Sequence, residues 1–496
     1  MKLPYILGIS GGYHDAAATV VNTSGDIVFA GHAERYSKLK NDANLSDGLI
    51  SELCDYEFDT IAYYERPWRH NLQQLYSGQH PTTAWTTGGA IRQQLGAWYT
   101  RPARREQAYG HHLSHAAAGF QTSPFERATV VVIDAVGEFD TATIWGAEYD
   151  RTGRAVYKRL WSQHYPHSIG LFYSAVTARL GLRPLDEEYI TMGMAAYGST
   201  MSSVLMHSEL VASVRDVRFK QNLHAGLDDQ AFNGYTDSDI AAGAQLVAEE
   251  LIYSIMQRAR DFNWSSNLVY QGGVALNCLA NRTLGNYFEN IWIMPCPGDA
   301  GSSLGAAALA YGRRINWQDA YLGRNIAGEY PVGAVVDHLL RDRIVGVASG
   351  RAEFGPRALG NRSLLADPRG LDIKDRVNEI KRRQQFRPFA PVILEEHVGD
   401  YFDMPSGFCD TRYMQVVGRC RHPDVYPAIH HYDGTSRIQT VPKDNSGIRQ
   451  VLEAWYAQTG CPLLLNTSLN IRGEPMVNDR ADADRFEARY GVTVCS

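Results

Sequence analysis

Short apolar runs separated by glycine turns organise the first part of the chain. Residues 5–10 (YILGIS) predict a buried strand, Gly11 and Gly12 a turn, and residues 16–21 (AAATVV) a returning strand that ends at the turn Ser24-Gly25-Asp26. The pattern recurs with 129–134 (TVVVID), a loop through Gly137 and 141–147 (TATIWGA). The stretch Gln271-Gly272-Gly273-Val274-Ala275-Leu276-Asn277 follows a strand at 267–270 and leads into a helix, and Pro297-Gly298-Asp299-Ala300-Gly301 opens a helix of small residues at 302–312. Strands joined through glycines at a sheet edge can offer backbone N–H groups to a phosphate. Their recurrence in two halves predicts an α/β, two-lobed nucleotide-binding fold of the actin and sugar-kinase type. Residues 313–340 are polar and without a clear pattern, which predicts a linker, and the strand at 344–348 (IVGVA) then starts a second domain. The expected division is 1–330 and 340–496. No internal repeat or low-complexity segment is visible, and the tryptophan- and arginine-bearing stretch 68–105 reads as a lid or, more simply, as an irregular connection, the second being the expectation.

Composition narrows the class. With 496 residues, 44% hydrophobic and 21% charged, the chain is an ordinary globular protein too long for one core. A net charge of -6 argues against general affinity for nucleic acid. No apolar run reaches the roughly 18 residues needed to span a bilayer. The start, MKLPYILGIS, lacks a signal-peptide pattern, so a cytoplasmic location is expected. The seven cysteines contain no CxxC pair and are expected to be reduced thiols.

Two regions carry chemistry. In His111-His112-Leu113-Ser114-His115, the first and last histidines are four apart and share one face of a helix, a spacing that can hold one metal ion. His112 competes with His111, because it also lies near the face of His115. Asp134 ends an apolar strand, where a carboxylate needs a partner or a cation, and Asp299 does so in a Pro-Gly-Asp turn. Two histidines with two carboxylates suit a first-row metal such as iron, manganese or zinc. The second region, 351–387, holds eight arginines and two lysines against five acids, a net charge of +5. Arginines set among glycine and packing residues, in Glu353-Phe354-Gly355-Pro356-Arg357-Ala358-Leu359-Gly360 and in Phe386-Arg387-Pro388-Phe389, are fixed as bidentate phosphate recognition requires. Asn466-Thr467-Ser468-Leu469-Asn470 follows a strand and offers amide and hydroxyl donors, and Arg437 precedes the strand from Ile438 to Val441.

Taken together and in order, seven motifs resemble the nodulation-type and antibiotic-tailoring O-carbamoyltransferases over nearly the whole chain. They are Gly12-Tyr13-His14-Asp15-Ala16, the His111–His115 run, Gln271 to Asn277, Pro297 to Gly301, Glu353 to Arg362, Phe386 to Pro391 and Leu465 to Asn470. The resemblance implies an N-terminal domain similar to threonylcarbamoyl-transferases and a C-terminal YrdC-like domain. It implies that the second makes carbamoyladenylate from carbamoyl phosphate and ATP with Mg2+, and that the first passes the carbamoyl group to an alcohol beside Fe(II) or another first-row divalent metal. By motif, His111, His115, Asp134 and Asp299 fall on the metal ligands and His14 on the catalytic histidine, which a glycine turn suits to general-base work. Lys381, Arg357, Arg387, Arg437, Asn466 and Ser468 fall on positions that bind the carbamoyl and phosphate groups, and Lys38 or Lys40 loosely on an acceptor-side lysine. A homodimer is expected for the family. The acceptor stays open between a sugar, an antibiotic scaffold and a hydroxymethylated nucleotide. The competing readings are a tRNA-modifying threonylcarbamoyl transferase, a sugar-kinase-like ATPase and a non-catalytic nucleotide-binding regulator.

Overall fold

The structure is a computed structural model that describes residues 4–100, 103–408 and 411–496. Met1 to Leu3 of the N-terminal reading, Arg101 and Pro102 of the 68–105 stretch, and Cys409 lie outside the described residues. The chain divides into two compact units. One comprises Met1–Ala33 and Asn41–Trp317, the other Glu34–Lys40 and Gln318–Ser496. The division therefore falls at Trp317 rather than between 330 and 340, and a short N-terminal segment is built into the second unit.

The first unit holds two five-stranded sheets with the same plan. In one, Tyr5–Ser10 lies at the centre, antiparallel to Ala17–Val21, which pairs antiparallel with Ile27–His32; on its other side come Phe58–Tyr63 and Arg105–Ala108, both parallel. In the other, Arg127–Gly137 is central, with Asp140–Tyr149 and Ala155–His164 antiparallel on one side and Asn267–Gln271 and Asn290–Trp292 parallel on the other. This duplicated order is the two-lobed actin-type arrangement, and it is an internal repeat of topology that the sequence does not show. Each sheet carries a helix between the layers. Ser302–Tyr311 packs on the first sheet and His111–Thr122 on the second, and the two helices pack on each other. They approach closely because both are rich in Ala, Gly and Ser: a Cβ on Gly305 would stand 1.8 Å from the Ser114 carbonyl oxygen.

The 68–105 stretch is not irregular. It contains the helices Pro67–Tyr76 and Thr87–Leu95. The expected linker is also ordered, with a strand at Tyr321–Ile326 and a helix at Val332–Asp342 that buries Val335, Val336 and Leu339. In the second unit, a six-stranded sheet runs in the order Gln439–Val441, Ala390–Leu394, Leu463–Ser468, Arg362–Ala366, Ile344–Ala348, Val494–Cys495. Helices Val332–Asp342, Gly447–Thr459 and Arg480–Tyr490 contribute Leu339, Trp455 and Phe486 to its core. The six cysteines among the described residues are free thiols, and no described helix is long and apolar enough to cross a membrane.

Candidate functional site

The helix His111–Thr122 starts where the first sheet ends and points its first turn at the second sheet. His111 and His115 project from one face, with their Nε2 atoms 3.1 Å apart. Asp134 leaves the central strand where pairing breaks: the register shifts between Ile133 and Gly137, which frees its carboxylate. Its Oδ1 accepts the amides of Ala135 (2.8 Å) and Gly273 (3.3 Å), so Oδ2 is turned to His111 (3.4 Å) and His115 (3.1 Å). That approach needs Gly272 in its left-handed conformation, φ +90, because a Cβ there would lie 2.2 Å from the Ile133 carbonyl. Asp299 stands at the turn before the small-residue helix, its Oδ1 3.3 Å from His111 Nε2 and 3.2 Å from His115 Nε2.

These four donor atoms lie within 4.8 Å of one another and are nearly inaccessible to solvent. Metal–donor bonds of about 2.0–2.2 Å put neighbouring donors roughly 3.0–3.5 Å apart. The histidine–histidine and histidine–carboxylate separations of 3.1–3.4 Å fall in that range, so two imidazoles and two carboxylates fit one first-row cation. His112 does not join them. It turns to Thr143, Nδ1 3.0 Å from Oγ1, and burial pushes its pKa down to about 3, so it is a neutral packing histidine.

Behind the cluster stands a carboxylate that the sequence reading passed over. Glu65, fully buried, places Oε2 3.3 Å from His111 Nδ1 and 3.1 Å from His70 Nδ1. Burial alone would raise its pKa; the His70 and His111 imidazoles outweigh that and bring it to about 2. A carboxylate on the far nitrogen of a ligating histidine fixes its tautomer and ring orientation. The only signal in sequence is Glu65 at the end of an apolar strand, the same signal that marked Asp134.

His14 lies in the glycine turn after the first strand, with Nδ1 3.0 Å from Asp15 Oδ2 and Nε2 3.6 Å from Asp299 Oδ2. Burial opposes its charge, but Asp299 and the Asp15 hydrogen bond overcome this and raise its pKa to about 9. A cleft of about 290 Å³ opens from His14, Asp134 and Asp299 within the same unit.

In the second unit the strand Leu463–Ser468 carries Asn466 and Ser468 at its end. Lys381 Nζ donates to the Ser468 carbonyl, to Ser468 Oγ (3.1 Å) and to Asn470 Oδ1 (2.9 Å). Among the described residues no carboxylate pairs with it. Burial, reinforced by the positive charges of Arg383, Arg387 and Lys40, holds its pKa well below the usual lysine range. Asn466 Nδ2 ties the strand to the loop of Arg357 through Ala358 O (3.1 Å) and to Gln439 (2.7 Å), two residues beyond Arg437. Glu353 clasps the same loop through the amides of Leu359, Asn361 and Arg362. Lys381, Arg387, Asn466, Ser468 and the Arg357 loop are thus drawn together, and Arg437 ends the strand Thr435–Arg437 of a separate three-stranded sheet, two residues before Gln439. Lys38 is paired with Asp482 and Lys40 with Glu34, and both belong to this unit. Arg35, unnoticed in the sequence, is buried here and donates to the Gly355 carbonyl, while its Nε and Nη1 meet no partner among the described residues.

Not every arginine of the basic segment is available to a ligand. Arg362 is fully buried and donates to the carbonyls of Ser349, Gly350, Asn361, Arg324 and Asn478. Arg369 pairs with Asp367, Arg376 with Asp372, and Arg351 donates to Leu322 O and Gly323 O. The +5 counted along the chain overstates the charge facing a ligand.

Known proteins match on both units. The family model for the carbamoyltransferase N-terminus matches residues 90–308, and that for the carbamoyltransferase C-terminus matches residues 336–495. Nodulation protein NolNO of Sinorhizobium fredii is 31% identical over 95% of this chain and 76% of its own length. Nodulation protein NolO of Bradyrhizobium diazoefficiens is 33% identical over 75% of each chain. The 3'-hydroxymethylcephem-O-carbamoyltransferase of Amycolatopsis lactamdurans is 32% identical over 61% of this chain and 62% of its own length. With both of its halves matched and a similar relative spanned over three quarters of its length, the chain belongs to the carbamoyltransferase family.

Proposed function

We propose that the protein is an ATP-dependent O-carbamoyltransferase that works in two half-reactions. In the first, carbamoyl phosphate gives its phosphate to water, and the resulting carbamate oxygen attacks the α-phosphorus of ATP. Pyrophosphate leaves and carbamoyladenylate forms. In the second, the alcohol oxygen attacks the carbamoyl carbon, AMP leaves, and the alcohol proton passes to a base.

The observation that carries this reading is the convergence of His14 on Asp299 beside the four-donor cluster, at the mouth of a cleft. The cluster would hold Fe(II) or another first-row divalent cation through His111, His115, Asp134 and Asp299, and Glu65 would keep His111 oriented. When bound, such a cation supplies Lewis-acid polarisation of an oxygen at this position. His14 is the group placed to take the alcohol proton, with Nδ1 anchored on Asp15 so that Nε2 faces the cluster. A base at neutral pH needs a pKa below the value of about 9 that Asp299 imposes, and sharing the Asp299 carboxylate with a cation draws that charge away from the ring.

For the first half-reaction, the buried and uncompensated Lys381 supports an anion site. A lysine out of water and without a carboxylate is costly unless an anion completes it. Arg35, with two unpaired N–H groups by the Gly355 loop, adds to the same potential. Arg357, Arg387, Arg437, Asn466 and Ser468 complete the set that would orient phosphate and carbamoyl oxygens.

The test is a full turnover with ATP, carbamoyl phosphate and an acceptor, read by nucleotide chromatography and mass spectrometry. AMP should appear one to one with carbamoylated alcohol. Stoichiometric ADP would replace this reading by a kinase-like one. His14→Asn should keep carbamoyl-phosphate-dependent ATP–pyrophosphate exchange and lose transfer; loss of both would overturn the division between half-reactions.

A further inference from the structure

Within that reading, we infer that the acceptor is an uncharged, hydroxyl-bearing small molecule, read by the helix Pro67–Tyr76 with Gln73 and His70 as specificity-determining residues. The cleft begins at Asp134, Asp299 and His14 and runs between that helix and the helix Ile169–Arg179. Its two carboxylates are both at the cluster end, and among the described residues no lysine or arginine lines it. Beyond the cluster the polar lining is amide, hydroxyl and imidazole only. The charged groups nearby are engaged elsewhere. Glu188 accepts from Ser174 Oγ (2.6 Å) and from the Leu185 amide (2.6 Å). Arg69 pairs with Glu138, and Arg179 donates to Ala231 O and Asn233.

A polycationic acceptor brought into this cleft would lose water and gain no carboxylate beyond the reacting end. A phosphorylated one would gain no cation. Either leaves a desolvated charge without a partner. A neutral acceptor meets what the walls do offer. Gln73 Nε2 and His70 Nε2 are buried, line the cleft wall from positions three apart on one helix face, and have no hydrogen-bond partner among the described residues. A hydroxyl is donor and acceptor at once, so it can answer an amide N–H and an imidazole nitrogen whichever proton the ring carries. His70 is held for this by Glu65 on its other nitrogen, and the start of the helix is anchored by Arg66, which bonds Glu138 through Nε (3.0 Å) and Nη2 (2.6 Å). Across the cleft Leu171, Ala175, Ala178 and Leu223 present an apolar wall suited to the C–H face of a ring. The volume, about 290 Å³, is at the low end for small-molecule sites, room for the reacting end of the acceptor and little more.

The experiment is carbamoyl transfer by the full chain with ATP and carbamoyl phosphate over a matched panel: neutral methyl glycosides, the corresponding amino sugars and the corresponding sugar phosphates. Wild type should use neutral members with kcat/KM at least tenfold above either charged set. Gln73→Glu should shift that ratio toward amino sugars by tenfold or more, and Gln73→Met should raise KM for neutral acceptors more than it lowers kcat. Preference for a charged set, no turnover of any neutral member, or an unchanged ratio in Gln73→Glu overturns the inference while leaving the proposed activity intact. Absence of carbamoyl-phosphate-dependent ATP–pyrophosphate exchange in wild type would instead remove the activity on which it rests.

Discussion

Replacing Lys381 by methionine should separate stability from ligand binding in the second unit. The side chain is 4% exposed and its ammonium faces only neutral acceptors. The effective penalty for burying an unpaired ion is several kcal/mol. Three hydrogen bonds offset it by about 1 kcal/mol each or somewhat more. Methionine has nearly the same length, and it strands little: Ser468 Oγ already bonds Asn470 Oδ1 at 2.6 Å. The ligand-free variant should therefore be more stable by about 1–2 kcal/mol, which raises the unfolding midpoint of a unit of this size by roughly 2–8 °C. Carbamoyl phosphate at a hundred times its Kd should stabilise wild type by about 2.7 kcal/mol and the variant by almost nothing, so the order of stabilities reverses when ligand is added. The alkaline side gives a second check. The folded lysine has a pKa below its unfolded value, so between the two the unfolded chain binds more protons, and wild-type stability rises with pH through that window. The methionine variant should lack this rise. Thermal unfolding with and without ligand, from pH 7 to 10.5, measures both effects. A ligand-induced shift equal in the two proteins, or a variant destabilised by more than about 3 kcal/mol, would show that Lys381 is a structural residue and not an anion site.

The cluster makes three further predictions. His115→Ala should lose stoichiometric metal while His112→Ala retains it, by elemental analysis of freshly purified protein; equal metal in His115→Ala and wild type would reject the ligand assignment. Glu65→Gln keeps both hydrogen bonds to imidazole but makes them neutral, at about 1 kcal/mol each, so metal affinity should fall roughly tenfold in competition with a chelator. An unchanged affinity would mean that Glu65 does not act on His111. Gly305→Ala forces the helices apart against the Ser114 carbonyl and should reduce stability by about 1–3 kcal/mol together with metal affinity, since the same crossing sets Asp299 against the histidines. Loss of stability with metal affinity intact would uncouple the crossing from the site.

Much of the site was legible because its signals are local. Four residues of helix bring His111 and His115 to one face, and a carboxylate that closes an apolar strand, as at Asp134, announces a partner. The glycine turns, the strands they join and the small-residue helix after Asp299 were equally plain. The helix Pro67–Tyr76 was not, because its buried positions after Pro67 are His70, Asn71, Gln73 and Gln74, an inversion of the apolar stripe by which helices are recognised. His112 and His111 are adjacent in sequence, and only the packing against Thr143 turns one away from the cation and the other toward it. The duplicated sheet order escaped notice because strand order depends on pairings far apart in sequence, while the two central strands share little beyond apolar character. Charge behaved in the same way. Eight arginines within 351–387 are a property of the chain, but carbonyl groups brought in by folding occupy Arg362, acids pair with Arg369 and Arg376, and Lys381 is left without a counter-charge among the described residues. Residue types and short spacings determine which chemistry is available; which groups face one another, and which charges survive, is decided by long-range packing, because a buried polar group's energy depends on the partner that tertiary structure brings to it.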